Sequence, residues 1–332
     1  MADPVDMVEL WRGPFLESVH RGHAVVCDGS GQILHAWGDP DQLIYPRSSC
    51  KMIQALPLIE SGAAAAHGLR QEHLALACAS HNGAAIHTDR VNAWLADLGM
   101  ADANLRCGPQ VPDDKDAKFA LIRAHEEPCQ VHNNCSGKHA GFLTFGKHMG
   151  WGPEYTEVDH PMQQEIRTTF SEVTGLETPG YGIDGCSAPN FATTVHGLAC
   201  AMAFFATAQA DGASAREKAA AALRDAMVAY PELVAGEGRA CTELMRAMGG
   251  KVAIKTGAEA VFTAILPELG LGIALKIVDG TTRASECAIA AILVKLGVLD
   301  PEHPATRKRM NAIQYSRRGL EAGIIKPAVA LA

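Results

Sequence analysis

The sequence predicts an α+β fold in which an antiparallel sheet is flanked by helices and joined to an α-helical subdomain, and three observations predict it. Two β-rich runs surround a glycine-rich turn near the start, within Ser18–Trp37. Three more such runs, separated by Gly and Pro signals, lie within Lys251–Val278. Between them, alanine-rich stretches with helical periodicity cover Phe191–Ala210 and Ala213–Tyr230. Strands from both ends of the chain can therefore share one sheet, with helices packed on its faces.

The first elements are a hairpin and a helix. The hairpin is predicted from the runs 18–27 and 32–37 around the turn Asp28–Gly31. The helix is predicted from Met52 to Ile59, because its apolar residues recur three and four positions apart. Pro57 is expected to kink this helix.

Ser80 is predicted to lie in a turn between two elements. The apolar run Leu74–Ala79 ends in Ser80-His81-Asn82-Gly83, and apolar residues then recur at helical spacing from Val91 to Leu98. The chain closes with three strands and a helix, predicted at Lys251–Thr256, Ala260–Leu266, Leu271–Val278 and about Thr282–Leu296.

Neither a repeat nor a Pro/Ser-rich linker interrupts this order, so residues 1–332 are predicted to form a single catalytic unit. Its sheet is expected to come from about residues 15–40 and 250–300, and its helical part from about residues 45–250.

Composition limits the function classes. The 332 residues include 29 Lys+Arg against 37 Asp+Glu, a formal net charge of −8, and 5% aromatic residues. Because there is no basic run, the sequence predicts no nucleic-acid-binding surface. The longest apolar stretches fall short of the ~20 residues that span a bilayer, and the start lacks the apolar region of a secretory signal. No membrane association is therefore expected.

The ten cysteines stand out in such a chain. No two form a C-x-x-C pair, and several, such as Cys78, Cys200 and Cys287, lie inside apolar runs, where a thiol behaves as a small hydrophobic group. The sequence therefore predicts a reduced, cytoplasmic protein without disulfides.

Ser48-Ser-Cys-Lys51 forms an S-x-x-K motif at the predicted start of a helix. Residues three apart share a helix face, so the lysine amine can reach the serine hydroxyl. Lysine can activate a serine only when it is neutral, which desolvation or a neighbouring cation favours by lowering its pKa. Taken alone, the tetrapeptide is more often a capping serine followed by a surface lysine.

Two further motifs follow in a fixed order. Ser80-His81-Asn82 has the S-x-N form, and Lys255-Thr256-Gly257 is a K-T-G on a predicted strand. The order S-x-x-K, S-x-N, K-T-G is that of serine β-lactamases and penicillin-binding proteins. This similarity implies one cleft between an α-domain and a five-stranded sheet. The predicted hairpin, late strands and final helix match that topology.

Two loops, HNNCSGKH and DGCSAPN, present Cys135 and Cys186 among glycine and asparagine residues. Loop cysteines flanked by Lys, His and Asp are candidates for metal ligands or reactive thiols. Chemistry alone pairs the two cysteines with His132 or His139 around a zinc ion. A plain structural role is the equal alternative.

The segments YPRSSCK, ASHNG, NNCSGKHAGF, DGCSAPNF and KTGAEA together resemble the asparaginase II family, the rhizobial-type L-asparaginases, over nearly the whole chain. The resemblance implies a serine β-lactamase-like fold and a homodimer. It also implies hydrolysis of L-asparagine to L-aspartate and ammonia beside a zinc ion.

Carried over by motif, the resemblance implies two Ser–Lys tandems, Ser48 with Lys51 and Ser80 with Lys255. It also implies a zinc site with water as the fourth ligand. Its three protein ligands would be Cys135, Lys138 and Cys186. This set replaces the histidine pairing and requires a neutral Lys138 amine.

Substrate recognition requires an anion for the α-ammonium group of asparagine and a cation for its α-carboxylate. Asp184 and Arg47 are the predicted partners. His139 and Cys241 are predicted to join them, Cys241 because its loop GRACT is expected to approach the site. The zinc has two alternative roles, orienting the α-groups of the substrate or activating the water that ends the reaction.

Two other functions stay open at this point. One is a serine amidohydrolase of the same fold that acts on glutamine, a β-lactam or a peptide. The other is a non-catalytic sensor that binds zinc or an amino acid, which the presence of both Ser–Lys tandems disfavours.

Overall fold

The computed structural model describes residues 2–331. Its strands are β1 (Val5–Arg12), β2 (Phe15–Asp28), β3 (Ile33–Trp37), β4 (Leu43–Ile44), β5 (Tyr181–Ile183), β6 (Pro189–Phe191), β7 (Thr193–Thr194), β8 (Ala253–Thr256), β9 (Val261–Leu266), β10 (Leu271–Ile277), β11 (Ala312–Tyr315) and β12 (Glu321–Pro327). Its helices are α1 (Lys51–Gln54), α2 (Leu56–Glu60), α3 (Ala63–Ala66), α4 (Gln71–Ala77), α5 (Ala85–Asp97), α6 (Lys115–Ala124), α7 (Ser136–Met149), α8 (Pro161–Thr174), α9 (Val195–Thr207), α10 (Ala215–Ala229), α11 (Pro231–Val234), α12 (Ala240–Ala247), α13 (Thr282–Lys295) and α14 (Pro304–Arg307). Within the described residues, none of these helices is long and apolar enough to cross a membrane.

The chain divides into two compact units, and the first, here called the sheet unit, comprises the described parts of residues 1–49, 193–207 and 243–332. Its main sheet has eight strands in the order β11-β12-β1-β2-β10-β9-β8, with β3 beside β2. Every neighbouring pair is antiparallel. Gly22 in β2 is opposite both Val5 of β1 and Ile277 of β10. The long β2 therefore changes partner at this residue, pairing first with β1 and then with β10.

Strands β9 and β10 read as nearly continuous apolar runs, VFTAIL and LGIALKI, and are almost wholly buried. Such runs are typical of strands that are covered on both faces. Helices α9 and α13 both pack against these strands. Gly272 makes the contact with α9 possible, because a Cβ there would lie 2.1 Å from the Ala203 backbone nitrogen.

The second unit, here called the helical unit, comprises residues 50–192 and 208–242. Helix α4 packs against α7 and α10 within it. Gly137 in α7 has no room for a side chain, because a Cβ would lie 2.4 Å from the Leu76 carbonyl oxygen. Helix α7 is buried over Ser136–Gly146, so its side chains face the interior of the unit.

The predicted fold class is confirmed, because an antiparallel sheet is packed with helices and a largely helical unit is present. The helices near 195–207 and 215–229 and the late strands lie within the predicted segments. The predicted hairpin is present, but its first strand, β2, extends beyond the predicted run 18–27 at both ends. The helix expected over Met52–Ile59 is divided at Ala55 into α1 and α2. Pro57 lies in the first turn of α2, where its missing N–H costs no helical hydrogen bond.

The sheet is wider than the expected five strands, because β1, β11 and β12 join it. Strand β1 pairs with β12 through partners such as Val8 and Pro327. A pairing across nearly the whole chain leaves no local pattern in the sequence, and β12 is only half-buried, so it lacks a clear apolar alternation. The prediction of a single catalytic unit stays a prediction, and its end residues 1 and 332 lie outside the described residues.

Candidate active site

Ser48, the serine of the S-x-x-K motif, lies in a strained turn of the sheet unit. A 3₁₀ turn at Arg47–Cys50 precedes α1, and Arg47 has a φ of 54°, which is unusual for a non-glycine residue. The Ser49 hydroxyl is fully buried and donates to the Pro46 carbonyl at 2.7 Å. Ser48 is half-buried. Of the two adjacent serines, Ser48 is therefore the more accessible.

The K-T-G strand lies against this turn within the sheet unit. A Cβ on Gly257 would lie 2.6 Å from the Pro46 carbonyl oxygen and 3.1 Å from the Ser49 nitrogen, so only glycine fits at this approach. Thr263 of β9 donates its hydroxyl to the Ser49 carbonyl at 3.1 Å. Lys255 is 1% exposed, and its amine donates to the Thr256 carbonyl at 2.8 Å.

Lys51 is the centre of a polar cluster in the helical unit. It is 1% exposed. Its Nζ donates to the Ala79 carbonyl at 2.5 Å, to Ser80 Oγ at 3.0 Å and to Cys135 Sγ at 3.1 Å. Three acceptors match the three N–H bonds of an ammonium group. The structure thus brings the lysine of the S-x-x-K motif to the serine of the S-x-N motif.

The turn that contains Ser80 is held by the segment that precedes Cys241. The Ser80 nitrogen donates to the Val234 carbonyl at 2.9 Å. Gly236 has a φ of 110°, and a Cβ on it would lie 2.5 Å from the Asn82 side chain. Thr242 donates its hydroxyl to the Gly236 carbonyl at 2.7 Å and closes this loop. Cys241 itself is 1% exposed at the start of α12.

Cys135, Lys138 and Cys186, here called the lysine–cysteine cluster, lie together in the helical unit. Cys135 directly precedes α7, Lys138 is on its first turn, and Cys186 lies in the loop between β5 and β6. All three are at most 4% exposed. Lys138 Nζ donates to Cys186 Sγ at 3.1 Å, and Cys135 Sγ lies 2.9 Å from Asn134 Oδ1.

Charge is distributed unevenly in this cluster. A hydrogen bond from the Cys135 thiol and the nearby Lys138 ammonium hold the pKa of Cys186 well below its usual range, although burial opposes this. The same hydrogen bond, together with burial, holds the pKa of Cys135 well above its usual range. Burial acts to lower the pKa of Lys138, but the charge of Cys186 outweighs it and the pKa is raised. These shifts favour a negative charge on Cys186 and a positive charge on Lys138.

The donor set of the cluster, two sulfurs and one nitrogen, fits a zinc ion, which is commonly bound by sulfur and nitrogen ligands. Zinc would take the place of the Lys138 proton and the Cys135 thiol proton, because ligands bind metals in their deprotonated forms. His139 is fully buried beside them on α7. Its Nδ1 is 3.0 Å from the Tyr155 hydroxyl, and its Nε2 has no hydrogen-bond partner among residues 2–331.

The other predicted substrate-binding residues flank these groups within their own units. Asp184 lies two residues before Cys186, is half-buried, and accepts a hydrogen bond from the Gly185 nitrogen at 2.8 Å. Arg47 is half-buried and directly precedes Ser48 in the sheet unit. Both side chains are therefore more accessible than the buried cysteines.

Sequence reasoning did not identify Cys50 and Asn134 as site residues. Cys50 is 2% exposed, and burial raises its pKa to about 12, with Asp184 acting in the same direction and Lys138 and Lys51 opposing it. The signal that could have found both residues is their position next to a motif residue, Cys50 inside S-S-C-K and Asn134 beside Cys135.

The sequence matches the family model described as L-asparaginase II over residues 8–327, which is nearly the whole chain. None of the curated proteins matches it significantly.

Similar solved structures include three proteins of low identity. Mglu, in its tris and glutamate form, is 14% identical with a TM-score of 0.49, and the match covers 90% of this chain and 63% of Mglu. The chain thus spans less than two thirds of Mglu. A β-lactamase from Mycobacterium bovis is 13% identical, with a TM-score of 0.44 and coverage of 82% and 94%. A penicillin-binding protein homolog from Caulobacter crescentus is 13% identical, with a TM-score of 0.40 and coverage of 80% and 90%. At these identities and scores, neither activity nor substrate transfers to this chain.

Proposed function

The chain belongs to the L-asparaginase II family, and we propose that it is an amidohydrolase that converts L-asparagine into L-aspartate and ammonia. The observation that carries the chemistry is the contact of the buried Lys51 amine with Ser80 Oγ at 3.0 Å. A lysine removed from water and placed on a serine hydroxyl is the arrangement that a Ser–Lys hydrolase needs.

Ser48 is the proposed nucleophile, and Lys51, three residues later, is the proposed base. Lys51 takes the hydroxyl proton while Ser48 Oγ attacks the side-chain amide carbon of asparagine. The C–N bond breaks, the nitrogen takes up a proton, and ammonia leaves a β-aspartyl ester on Ser48. Water then hydrolyses the ester to aspartate and restores the hydroxyl.

Ser80 and Lys255 form the proposed second tandem, which would relay a proton to the leaving nitrogen. A lysine must be neutral to act as a base, and the neutral fraction of a lysine amine increases with pH. The proposal therefore predicts that turnover rises from neutral to alkaline pH. A flat profile over that range, with chemistry limiting the rate, would remove Lys51 as the base.

Asp184 and Arg47 are the proposed partners of the substrate's α-ammonium and α-carboxylate groups, with His139 and Cys241 beside them. The half-buried state of Asp184 and Arg47 supports this assignment, because both side chains are partly exposed to solvent and have the charges that the α-groups require.

Cys135, Lys138 and Cys186 would hold a zinc ion, with water as the fourth ligand. When bound, zinc supplies a Lewis acid that can orient polar groups or lower the pKa of a water. We further propose a homodimer located in the cytoplasm. Sedimentation of the purified protein tests the dimer, and a monomer at micromolar concentration would contradict it.

The nucleophile is tested by intact-mass measurement with a slow amide or ester substrate. Ser48→Ala is expected to abolish the covalent adduct and ammonia release. Ser49→Ala is the matched variant, because its hydroxyl is buried on the Pro46 carbonyl, and it is expected to keep forming the adduct. Undiminished turnover by Ser48→Ala would overturn the assignment of Ser48.

The substrate is tested by ammonia release from asparagine and glutamine, together with nitrocefin hydrolysis. Preference for asparagine supports the proposal. Preference for glutamine or nitrocefin would indicate another amidohydrolase of this fold, and saturable amino-acid binding without product would indicate a sensor.

A further inference from the structure

A second group of metal-binding side chains lies outside the residues used so far. Cys27, His196 and Cys200 place one ligand atom each within 4.8 Å of one another. In the part of the chain that the structure describes, they are the one group of three His, Cys, Asp or Glu residues that is this compact. All three belong to the sheet unit, whereas the lysine–cysteine cluster belongs to the helical unit.

The fold builds this group from one strand and one helix. Cys27 lies near the end of β2, opposite Gly272 of β10 and Ile33 of β3, and is fully buried. His196 and Cys200 are four residues apart on α9, so they share one face of the helix. Helix α9 packs against β2. Two ligands at helical spacing thus meet a third from the sheet.

The separation of the two sulfurs fits tetrahedral zinc. Cys27 Sγ and Cys200 Sγ are 3.9 Å apart. Two sulfurs that each lie about 2.3 Å from a zinc ion, at the tetrahedral angle, are separated by about 3.8 Å. The two sulfurs therefore already have the separation that a shared zinc ion requires.

A backbone hydrogen bond defines the tautomer of the His196 imidazole. His196 Nε2 is 2.8 Å from the Gly31 carbonyl oxygen, which can only accept, so Nε2 carries the proton. A neutral ring then has its free electron pair on Nδ1, and metal-bound histidines are commonly oriented through such a bond on the other nitrogen. The Asp28 carboxylate fixes the turn that contains Gly31, accepting from the nitrogens of Ser30 at 2.9 Å and Gln32 at 3.1 Å.

We propose that Cys27, His196 and Cys200 form a zinc site that ties α9 to the end of β2. On binding, the two thiol protons leave to water and Zn²⁺ takes their place, so two thiolates, the ion and a neutral imidazole carry no net charge. A neutral centre is compatible with the full burial of Cys27. His196 and Cys200 are half-buried, so a water can enter as the fourth ligand.

The test uses the full-length protein carrying Cys135→Ala and Cys186→Ala, so that its result does not depend on the proposed active-site zinc. The protein is loaded with zinc sulfate and desalted, and its zinc content is measured by elemental analysis. About one zinc per chain is expected. Adding Cys200→Ala or His196→Ala should lower the zinc affinity by at least about 10–100-fold. Cys287→Ala, which removes a buried thiol elsewhere in the same unit, should retain the zinc.

Cobalt gives a second readout that structural damage does not imitate. Co²⁺ added to the double variant should produce a sulfur-to-cobalt charge-transfer absorption, and Cys200→Ala should remove it. If the double variant does not fold, the unsubstituted protein is used, where Cys200→Ala should remove one equivalent of zinc. No metal in the double variant, or a metal content unchanged by both Cys200→Ala and His196→Ala, overturns the proposal. Neither result depends on whether Ser48 is the nucleophile.

Discussion

Each unit of the chain contains two interacting thiols, but their neighbours differ. In the helical unit, Cys135 lies beside the amine of Lys51 and Cys186 beside the amine of Lys138. In the sheet unit, Cys27 and Cys200 lie beside an imidazole and no lysine contacts them among the described hydrogen bonds. In both, a hydrogen bond from one thiol lowers the pKa of the other, to about 7 at Cys200 and well below its usual range at Cys186.

The difference shows what a buried amine adds to a thiol pair. A buried ammonium group needs counter-charge, and the low pKa of Cys186 favours a thiolate beside Lys138. The other buried amine, that of Lys51, contacts Ser80. The thiols of the sheet unit have an imidazole partner instead, and His196 and Cys200 are only half-buried. The first arrangement suits proton transfer, and the second suits holding an ion.

The largest expected effect is the loss of the Lys51 amine. Lys51→Met keeps most of the side-chain volume but removes the base and its contact with Ser80. Turnover of asparagine should fall by about 10²–10⁴-fold, the usual contribution of a general base. Ammonia release measures it.

Lys251→Met is the matched control, because Lys251 is exposed and forms a surface ion pair with Glu268. It should leave turnover within about twofold, since such pairs contribute little. Full activity of Lys51→Met would mean that the amine network is structural, and the contrast between the two thiol pairs would lose its functional meaning.

Two glycines sharpen the comparison between the units. At Gly257 in the sheet unit, a Cβ would overlap the Pro46 backbone, which cannot rotate away. Gly257→Ala should therefore displace the turn that contains Ser48, here called the nucleophile turn. A displacement of about 1 Å can cost about 10²-fold in turnover. At Gly236 in the helical unit, the overlap is with the Asn82 side chain, which can move, although the φ of 110° strains alanine there.

Gly257→Ala is therefore expected to reduce turnover more than Gly236→Ala, while both lower the free energy of unfolding by about 1–3 kcal/mol. Gly180→Ala, where a Cβ meets nothing within 4 Å, is the control. Kinetics and urea unfolding measure both quantities. Equal losses of turnover in the two variants would contradict the greater rigidity of the nucleophile turn.

The smallest expected effect is the pH dependence of stability that two buried histidines cause in the helical unit. The rings of His81 and His87 stack with centroids 4.8 Å apart, and burial lowers the pKa of both below the usual 6.5. Below pH 6.5 the unfolded chain binds protons that the folded protein excludes. The contribution of the two neutral rings to the free energy of unfolding is therefore fully present above pH 6.5. It decreases as the pH falls below that value, by at most about 1.4 kcal/mol per pH unit for each ring.

His81→Gln should accordingly reduce the difference in unfolding free energy between pH 7 and pH 5, as measured by urea unfolding at both values. His35→Gln changes an exposed ring and should leave the difference intact. If His81→Gln leaves the pH dependence of the unfolding free energy unchanged, the His81 ring takes up a proton in the folded protein as readily as in the unfolded chain.

The site residues that could be predicted from the sequence are those that belong to short motifs. Ser48 and Lys51 are three residues apart, and the order of their motif with Ser80 and Lys255 indicated one chemistry. The contact of Lys51 with Ser80 agrees with that order, although the loop of Gly236 that supports Ser80 had no signal of its own. The zinc ligands stay a prediction, supported by the placement of the lysine–cysteine cluster.

The sequence by itself determined the hairpin, the helices near residues 52–59, 91–98, 195–207, 215–229 and 282–295, and the types of chemically active residue, because apolar periodicity and turn residues depend on neighbours a few positions away. Tertiary structure alone decided the eight-stranded width of the sheet and the meeting of Cys27 with Cys200, which are 173 positions apart. From the sequence alone, Cys200 is a small hydrophobic residue within an apolar run. A side chain acquires its chemistry from what packs against it, and that packing is set by contacts between distant segments, which no local pattern records.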